Sequence, residues 1–269
     1  TLISGRENFM KRVLFAGVVF ISSAFISNNV LAEGSGVEEI LVKGKVLQSD
    51  QMNALKIPTP IINVPQSLSI VTDEDVRKKG FKELGDIVKY TPGINTSLGE
   101  GHRDAVVFRG VRSTADFFQD GVRDDVQYYR PIYNVEQVEV LRGPNALLFG
   151  RGGTGGVINR VSKKPVSGKE FKTVDLGHDS FGASDIAVDV NTNLSDSVAF
   201  RLNVHNDSLK NHRDFYNGER FGINPTLSVA LDEDTDLNLS YEYIDHERFI
   251  DRGIPTANGK PVEALSDIV

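Results

Sequence analysis

Cysteine and tryptophan are absent from this 269-residue chain, so neither a disulfide framework nor a thiolate site for zinc or an iron–sulfur cluster can be built from it. Collagen and coiled coil are excluded as well. Basic residues are in the minority, 30 Lys and Arg against 37 Asp and Glu. The net charge of -7 argues against a nucleic-acid partner, which would ask for a basic footprint. No apolar run reaches the ~20 residues of a spanning helix; the longest, Val13 to Ile26, belongs to the start of the chain.

That start is expected to be a cleaved signal peptide over residues 10–32. Met10, Lys11 and Arg12 give it a positive head, the uncharged run follows, and Val30-Leu31-Ala32 supplies a cleavage site before Glu33. Residues 1–9 precede Met10 and read as an upstream over-read. Export places the protein in the cell envelope.

Residues 33–60 form a linker, opened by Gly34-Ser35-Gly36 and closed by Pro58 and Pro60. Its one apolar patch, Ile40-Leu41-Val42, is either an ordinary short strand or an exposed segment that adds to the sheet edge of another protein. Residues 61–165 read as a compact α+β unit. Ser67–Val71 is a strand. A helix over Thr72–Lys79 follows, with Thr72 as N-cap and Gly80 beyond its end, and a second over Lys82–Tyr90. Val106–Phe108, Phe117–Gln119 and Val138–Leu141 are strands, and Asp120-Gly121 is a hairpin turn. From Phe171 onward four or five strands alternate apolar and polar residues. Val198, Phe200, Leu202 and Val204 oppose Arg201, Asn203 and His205, and Leu237, Leu239, Tyr241 and Tyr243 oppose Asn238, Ser240 and Glu242. A soluble β-sandwich shows such alternation, and so does a transmembrane meander with short turns on one side and longer loops on the other.

Gly150 to Gly155 fits the dinucleotide pattern G-x-G-x-x-G, but that pattern must open a helix, and Val157, Ile158 and Val161 alternate like a strand. Tight turns are the better use of these glycines. Catalytic signatures are missing too: His102, His178, His205, His212 and His246 have no ligand spacing, and no nucleophile elbow occurs. No catalytic or metal-ligating residue is assigned, and a transporter is expected rather than an enzyme.

Six motifs occur in one order: PQSLSIVT (65–72), YTPGI (90–94), FRG (108–110), the stretch Phe117 to Asp125, VEVLRGP (138–144) and LFGRGGTGGVIN (148–159). Together they resemble the plug domain of TonB-dependent siderophore receptors of the Gram-negative outer membrane. The resemblance implies a plug inside a barrel of 22 strands, of which about five are present here over residues 166–269, so that the barrel is cut short. It also implies that ferric siderophore is imported with energy from TonB. The iron travels inside the chelate, so no cofactor and no protein metal ligands are needed.

Further residue roles come from the same resemblance. The TonB box falls on Val37, Glu38, Glu39, Ile40, Leu41 and Val42, the segment that could add to a partner's sheet. Outward plug loops place Arg103, Tyr128, Tyr129 and Arg130 as ligand contacts, where phenol rings and guanidinium groups suit an anionic complex; the alternative is that the tyrosines pack against the barrel wall. Arg109 and Arg142, in FRG and LRGP, correspond to plug arginines that pair with barrel carboxylates. Partners are then TonB, ferric siderophore and outer-membrane lipid, with no nucleic acid. Haem or cobalamin as cargo, or a secreted soluble binding domain, are the alternatives.

Overall fold

The computed structural model describes residues 51–54, 59–97, 101–143, 149, 153, 155–232 and 234–262. The expected signal peptide, the segment Val37 to Val42 and the last seven residues lie outside them.

The α+β unit begins with a two-stranded ribbon, β1 (Gln51–Met52) and β2 (Thr59–Pro60), and continues through β3 (Ser67–Thr72), α1 (Asp73–Lys79) and α2 (Leu84–Lys89). Short strands follow: β4 (Ile94–Thr96), β5 (Val106–Phe108), β6 (Val111–Ser113), β7 (Phe117–Gln119) and β8 (Val122–Arg123). Two long ones, β9 (Val135–Arg142) and β10 (Gly156–Ser162), complete it. The main sheet has the order β3-β9-β10-β7-β8, with β7 and β10 parallel, and β4-β5-β6 form a second sheet.

Local chemistry explains these boundaries. Thr72 caps α1 by accepting from the Asp75 amide at 3.3 Å, and Gly80 ends it at φ 64°. The second helix is shorter than Lys82–Tyr90 because the Asp86 carboxylate takes the amides of Lys82 and Glu83 at 3.2 Å each, which keeps both outside the helix. The Asp120-Gly121 turn closes β7 on β8 with positive φ at both residues, and Arg109-Gly110 does the same between β5 and β6.

Strand β9 extends beyond Val138–Leu141 because two of its polar residues, Gln137 and Glu139, are buried. Glu139, wholly buried, accepts from the Asn53 amide at 2.5 Å, Gln137 Nε2 at 2.7 Å and Asn159 Nδ2 at 3.0 Å, which ties the first ribbon to the sheet. Around it lie two apolar clusters. The larger joins Leu84, Ile87 and Val88 of α2 to Phe108, Val138, Val140 and Ile158; the smaller joins Met52 and Ala54 to Phe118, Leu141 and Val157.

A six-stranded antiparallel meander follows: β11 (Phe171–His178), β12 (Ser184–Ser195), β13 (Val198–Lys210), β14 (Asn217–Ala230), β15 (Asp236–Ser240) and β16 (Tyr243–Arg248). Strands β15 and β16 both pair with β14, one after the other, so they act as a single fifth strand interrupted at Tyr241 and Glu242. The break faces Asn224 and Pro225. Proline has no ladder amide to offer, and Asn224 Nδ2 reaches in to the Tyr241 carbonyl at 2.7 Å. The β13–β14 connection is Asn211 to Tyr216, bounded by the pairing of Lys210 with Asn217.

The direction of the alternation decides what this sheet is. On β13 the polar set is inside: Arg201, Asn203, His205 and Asp207 are buried while Val198, Phe200, Leu202 and Val204 are only half-buried. Leu176, Leu239 and Tyr241 are 77%, 52% and 64% exposed on the other face. A sandwich in water buries its apolar face. A barrel wall in lipid does the reverse. Strands of 12, 13 and 14 residues exceed the ~9–11 that a tilted strand needs to cross a bilayer.

Candidate functional site

Opposite charges on neighbouring strands make the polar inner face possible. Arg220 meets Asp207 directly across β13 and β14, Nε donating to both carboxylate oxygens at 2.9 and 3.0 Å. Arg201 forms a fork on Asp189 of β12, with both bonds at 2.8 Å. Side chains of the α+β unit join these pairs. Lys163 Nζ lies 3.1 Å from Asp189 and 3.2 Å from Asp73, Glu136 is 3.4 Å from Arg201, and Lys82 is 2.6 Å from Asp185. Glu83 pairs with both Arg220 and Arg248. Asn134 donates to Glu242 at 2.8 Å. Tyr133 stacks on His205 with centroids 4.5 Å apart, and it fits because residue 222 is glycine: a Cβ there would stand 2.8 Å from both rings.

Sequence reading picked out Arg201, Asn203 and His205 as one polar face but did not find what they pair with. Their signal was charge inside an alternating strand; Asp189 and Glu136, which hold Arg201, and Tyr133, which stacks on His205, come from other elements of the chain.

The loops expected to carry the ligand lie at the end of the wall where β13 runs into β14 and β16 ends. Gly101 packs so closely against Asp251 and Ile250 that no side chain would fit. Arg248, the last residue of β16, lies over the Tyr129 ring at 4.0 Å. Within these loops the expected contacts separate. Arg130, proposed as an outward contact, is turned inward and is 2% exposed. Its guanidinium lies 4.0 Å over Phe117, Nε donates to Asp124 Oδ2 at 2.9 Å, and Nη2 donates to the carbonyls of Asp124 and Val126 at 2.9 and 2.7 Å. A buried carboxylate and the ring draw the cation into the interior, where it shapes the loop and leaves nothing for a ligand.

Tyr128 joins that inner network, its hydroxyl donating to Asp124 at 2.9 Å and accepting from Arg160 Nη2 at 2.9 Å. Tyr129 and Arg103 face a cleft of about 360 Å³, together with Glu83, Ser97 and Asp104; Arg103 also donates to Gln127. Burial raises the hydroxyl pKa of Tyr128 and Tyr129, so both are neutral donors. A larger cavity of about 790 Å³ separates α1 from β11–β13 and is lined by Lys82, Tyr133, Lys163, His205 and Arg220.

Arg109 and Arg142 flank Gly93, with Arg109 exposed on its hairpin turn. Arg142 donates to Ser67 Oγ, Ser69 Oγ and the Pro92 carbonyl at 3.0, 2.9 and 3.1 Å. Burial and then the Arg109 charge lower its pKa. Among the described residues neither arginine has a carboxylate partner.

Asp104 accepts from the Arg130 amide at 2.8 Å, and burial pushes its carboxyl up to about 6. The folded loop therefore holds this proton more tightly than the ordinary ~3.9 carboxylate does, and stability falls as pH rises from about 4 to 6, by at most ~3 kcal/mol. Hydrogen exchange at the Arg130 amide, corrected for intrinsic rates, is expected to show more protection at pH 5 than at pH 7.5. Asp104→Asn should remove that dependence, and protection that increases with pH would refute the assignment.

The sequence profile of the TonB-dependent Receptor Plug Domain matches residues 60–157. The catecholate siderophore receptor Fiu of Escherichia coli (strain K12) is 30% identical over 262 residues, which is 93% of this chain and 34% of that protein. The probable TonB-dependent siderophore receptor PiuA of Acinetobacter baumannii is 27% identical, over 98% of this chain and 37% of its own length. The crystal structure of PiuA superposes with a TM-score of 0.72 at 28% identity, over 81% of this chain and 32% of that one. The chain thus spans about a third of the length of these relatives. With its plug-like sheet, its inside-out wall and these matches, the chain belongs with the TonB-dependent receptors: it holds a plug domain followed by strands of the barrel wall.

Proposed function

We propose that the protein imports a ferric siderophore across the Gram-negative outer membrane, reaching that membrane through export on a cleaved signal peptide. The carrying observation is the polar wall, whose charged residues are neutralised by plug side chains while its other face is apolar. This arrangement suits a plug seated in a lipid-embedded barrel. Relatives named as siderophore receptors support an iron chelate as cargo.

Tyr129 and Arg103 are the outer ligand contacts, and Tyr128 and Arg130 hold their loop in shape. Arg109 and Arg142 await carboxylates from wall strands beyond the described ones. The iron stays within its chelate, no resident cofactor takes part, and no catalytic step is assigned.

Energy arrives through TonB, which pairs with Val37 to Val42 by strand addition. Proline removes the amide such pairing needs. Ile40→Pro in the full-length gene product is expected to reduce iron uptake to background while siderophore binding to whole cells stays unchanged. Uptake at the parent rate would remove the assignment.

A further inference from the structure

The cation that covers Tyr129 comes from the wall and is not fully occupied. Arg248 Nε donates to His246 Nε2 at 2.8 Å, Nη2 reaches Glu83 Oε1, and the guanidinium carbon sits 4.0 Å from the Tyr129 centroid. Its Nη1 has no hydrogen-bond partner among the described residues. Glu83 Oε1 also accepts from Arg220 Nη1 at 2.9 Å, so one carboxylate oxygen serves two guanidinium groups. Arg220 would keep its hold on Asp207 without Glu83; Arg248 has no other anion among the described residues. The Glu83 side chain is 28% exposed, and it lines the same cleft as Tyr129 and Arg103.

We propose that Arg248 is a specificity-determining residue of the ligand site, and that Glu83 stands in for an anionic group of the cargo until the cargo arrives. The proposal rests on the receptor reading above. An anionic chelate entering the cleft beside Tyr129 meets, behind Glu83, a planar guanidinium that is 9% exposed, that the ring already orients and whose Nη1 is unpaired among the described residues. It competes with Glu83, which can turn to water or keep Arg220 alone. A cationic chelate makes no pairing with Arg248 and gains nothing from it. Ligand arrival also loosens one of the two ties between Glu83 and the wall, so occupancy is reported to the N-terminal edge of α2.

The test uses two chelates of opposite charge on outer membranes from cells producing the full-length gene product: ferric tris-catecholate, an anion, and ferrioxamine B, a cation. Arg248→Gln is expected to weaken the anion about tenfold or more and to leave the cation within about twofold, whereas Glu83→Gln should tighten the anion. Arg248→Lys should restore part of the loss. Equal weakening of both chelates by Arg248→Gln would make Arg248 a structural staple and overturn the proposal, as would a Glu83→Gln protein that binds the anion no better than its parent. If the parent binds ferrioxamine B and not the anion, the receptor reading stands and this inference falls. A parent that binds neither chelate overturns the receptor reading and this inference with it.

Discussion

Gly156→Val is expected to abolish the folded plug. A side chain at residue 156 would run into the Leu141 carbonyl oxygen and stand 2.6 Å from the Phe108 ring, and its neighbour Gly155 lies equally close to Phe108 Cβ, at 2.7 Å. Overpacking in a core costs about 1–3 kcal/mol where side chains can shift. Here one obstacle is backbone in the central strand β9, so a cost above ~3 kcal/mol is expected. In the full-length protein this should appear as loss of mature receptor from the outer membrane and as protease sensitivity of what remains. Gly85→Ala is the control, since its Cβ would meet only Thr96 at 3.6 Å; replacing a helical glycine with alanine should be neutral or stabilising by up to ~1 kcal/mol. A Gly156→Val protein that melts within about 2 °C of its parent would show the contact to be soft.

Asp189→Ala should have the other large effect. The Asp189 carboxylate carries the Arg201 fork from its own sheet and Lys163 from the plug, and side-chain exposure is 9%, 6% and 5% for the three. Removing one partner of a buried pair leaves the other charge without compensation, at about 3–5 kcal/mol. Here two cations lose Asp189 together; Lys163 keeps Asp73 at 3.2 Å and Arg201 keeps Glu136 at 3.4 Å, so the lower end of that range is expected. The expected result is a lower melting temperature and a plug that seats poorly, read as entry of a bulky antibiotic that the intact outer membrane excludes. Replacing Asp189 and Arg201 together with apolar residues of similar volume should recover much of the loss, because no uncompensated charge remains between them. Unchanged melting and unchanged antibiotic entry in Asp189→Ala would show the cluster to be solvated in the assembled protein.

Much of the plug was legible because its determinants are local. Thr72 and Gly80 mark the ends of α1 by their own side-chain and backbone chemistry, and Asp120-Gly121 specifies a tight hairpin without help from the rest of the fold. Strand β9 was only half visible, since Gln137 and Glu139 look like surface residues until the first ribbon is laid over them. Arg130 was misplaced for a related reason. An arginine beside two tyrosines in a loop reads as an outward contact, and only Asp124, Asp104 and Phe117, brought round by the folded loop, turn it inward.

The proposed ligand cleft was legible to the level of its loops and no further. Tyr129 and Arg103 were placed on those loops by the family resemblance, whereas Glu83 and Arg248 gave no signal, being 165 residues apart and joined only across the plug and the wall. The sequence alone determined the order of elements, the period-2 strands and the motifs that carry the family resemblance, because each depends on residues close together in the chain. Tertiary structure alone decided which face of the wall is the inside. Alternation is the same whether water or lipid lies beyond the sheet, and it took Glu83, Glu136 and Lys163 of the plug, meeting Arg220, Arg201 and Asp189 from the other side, to bring the charged face in and leave the apolar one out.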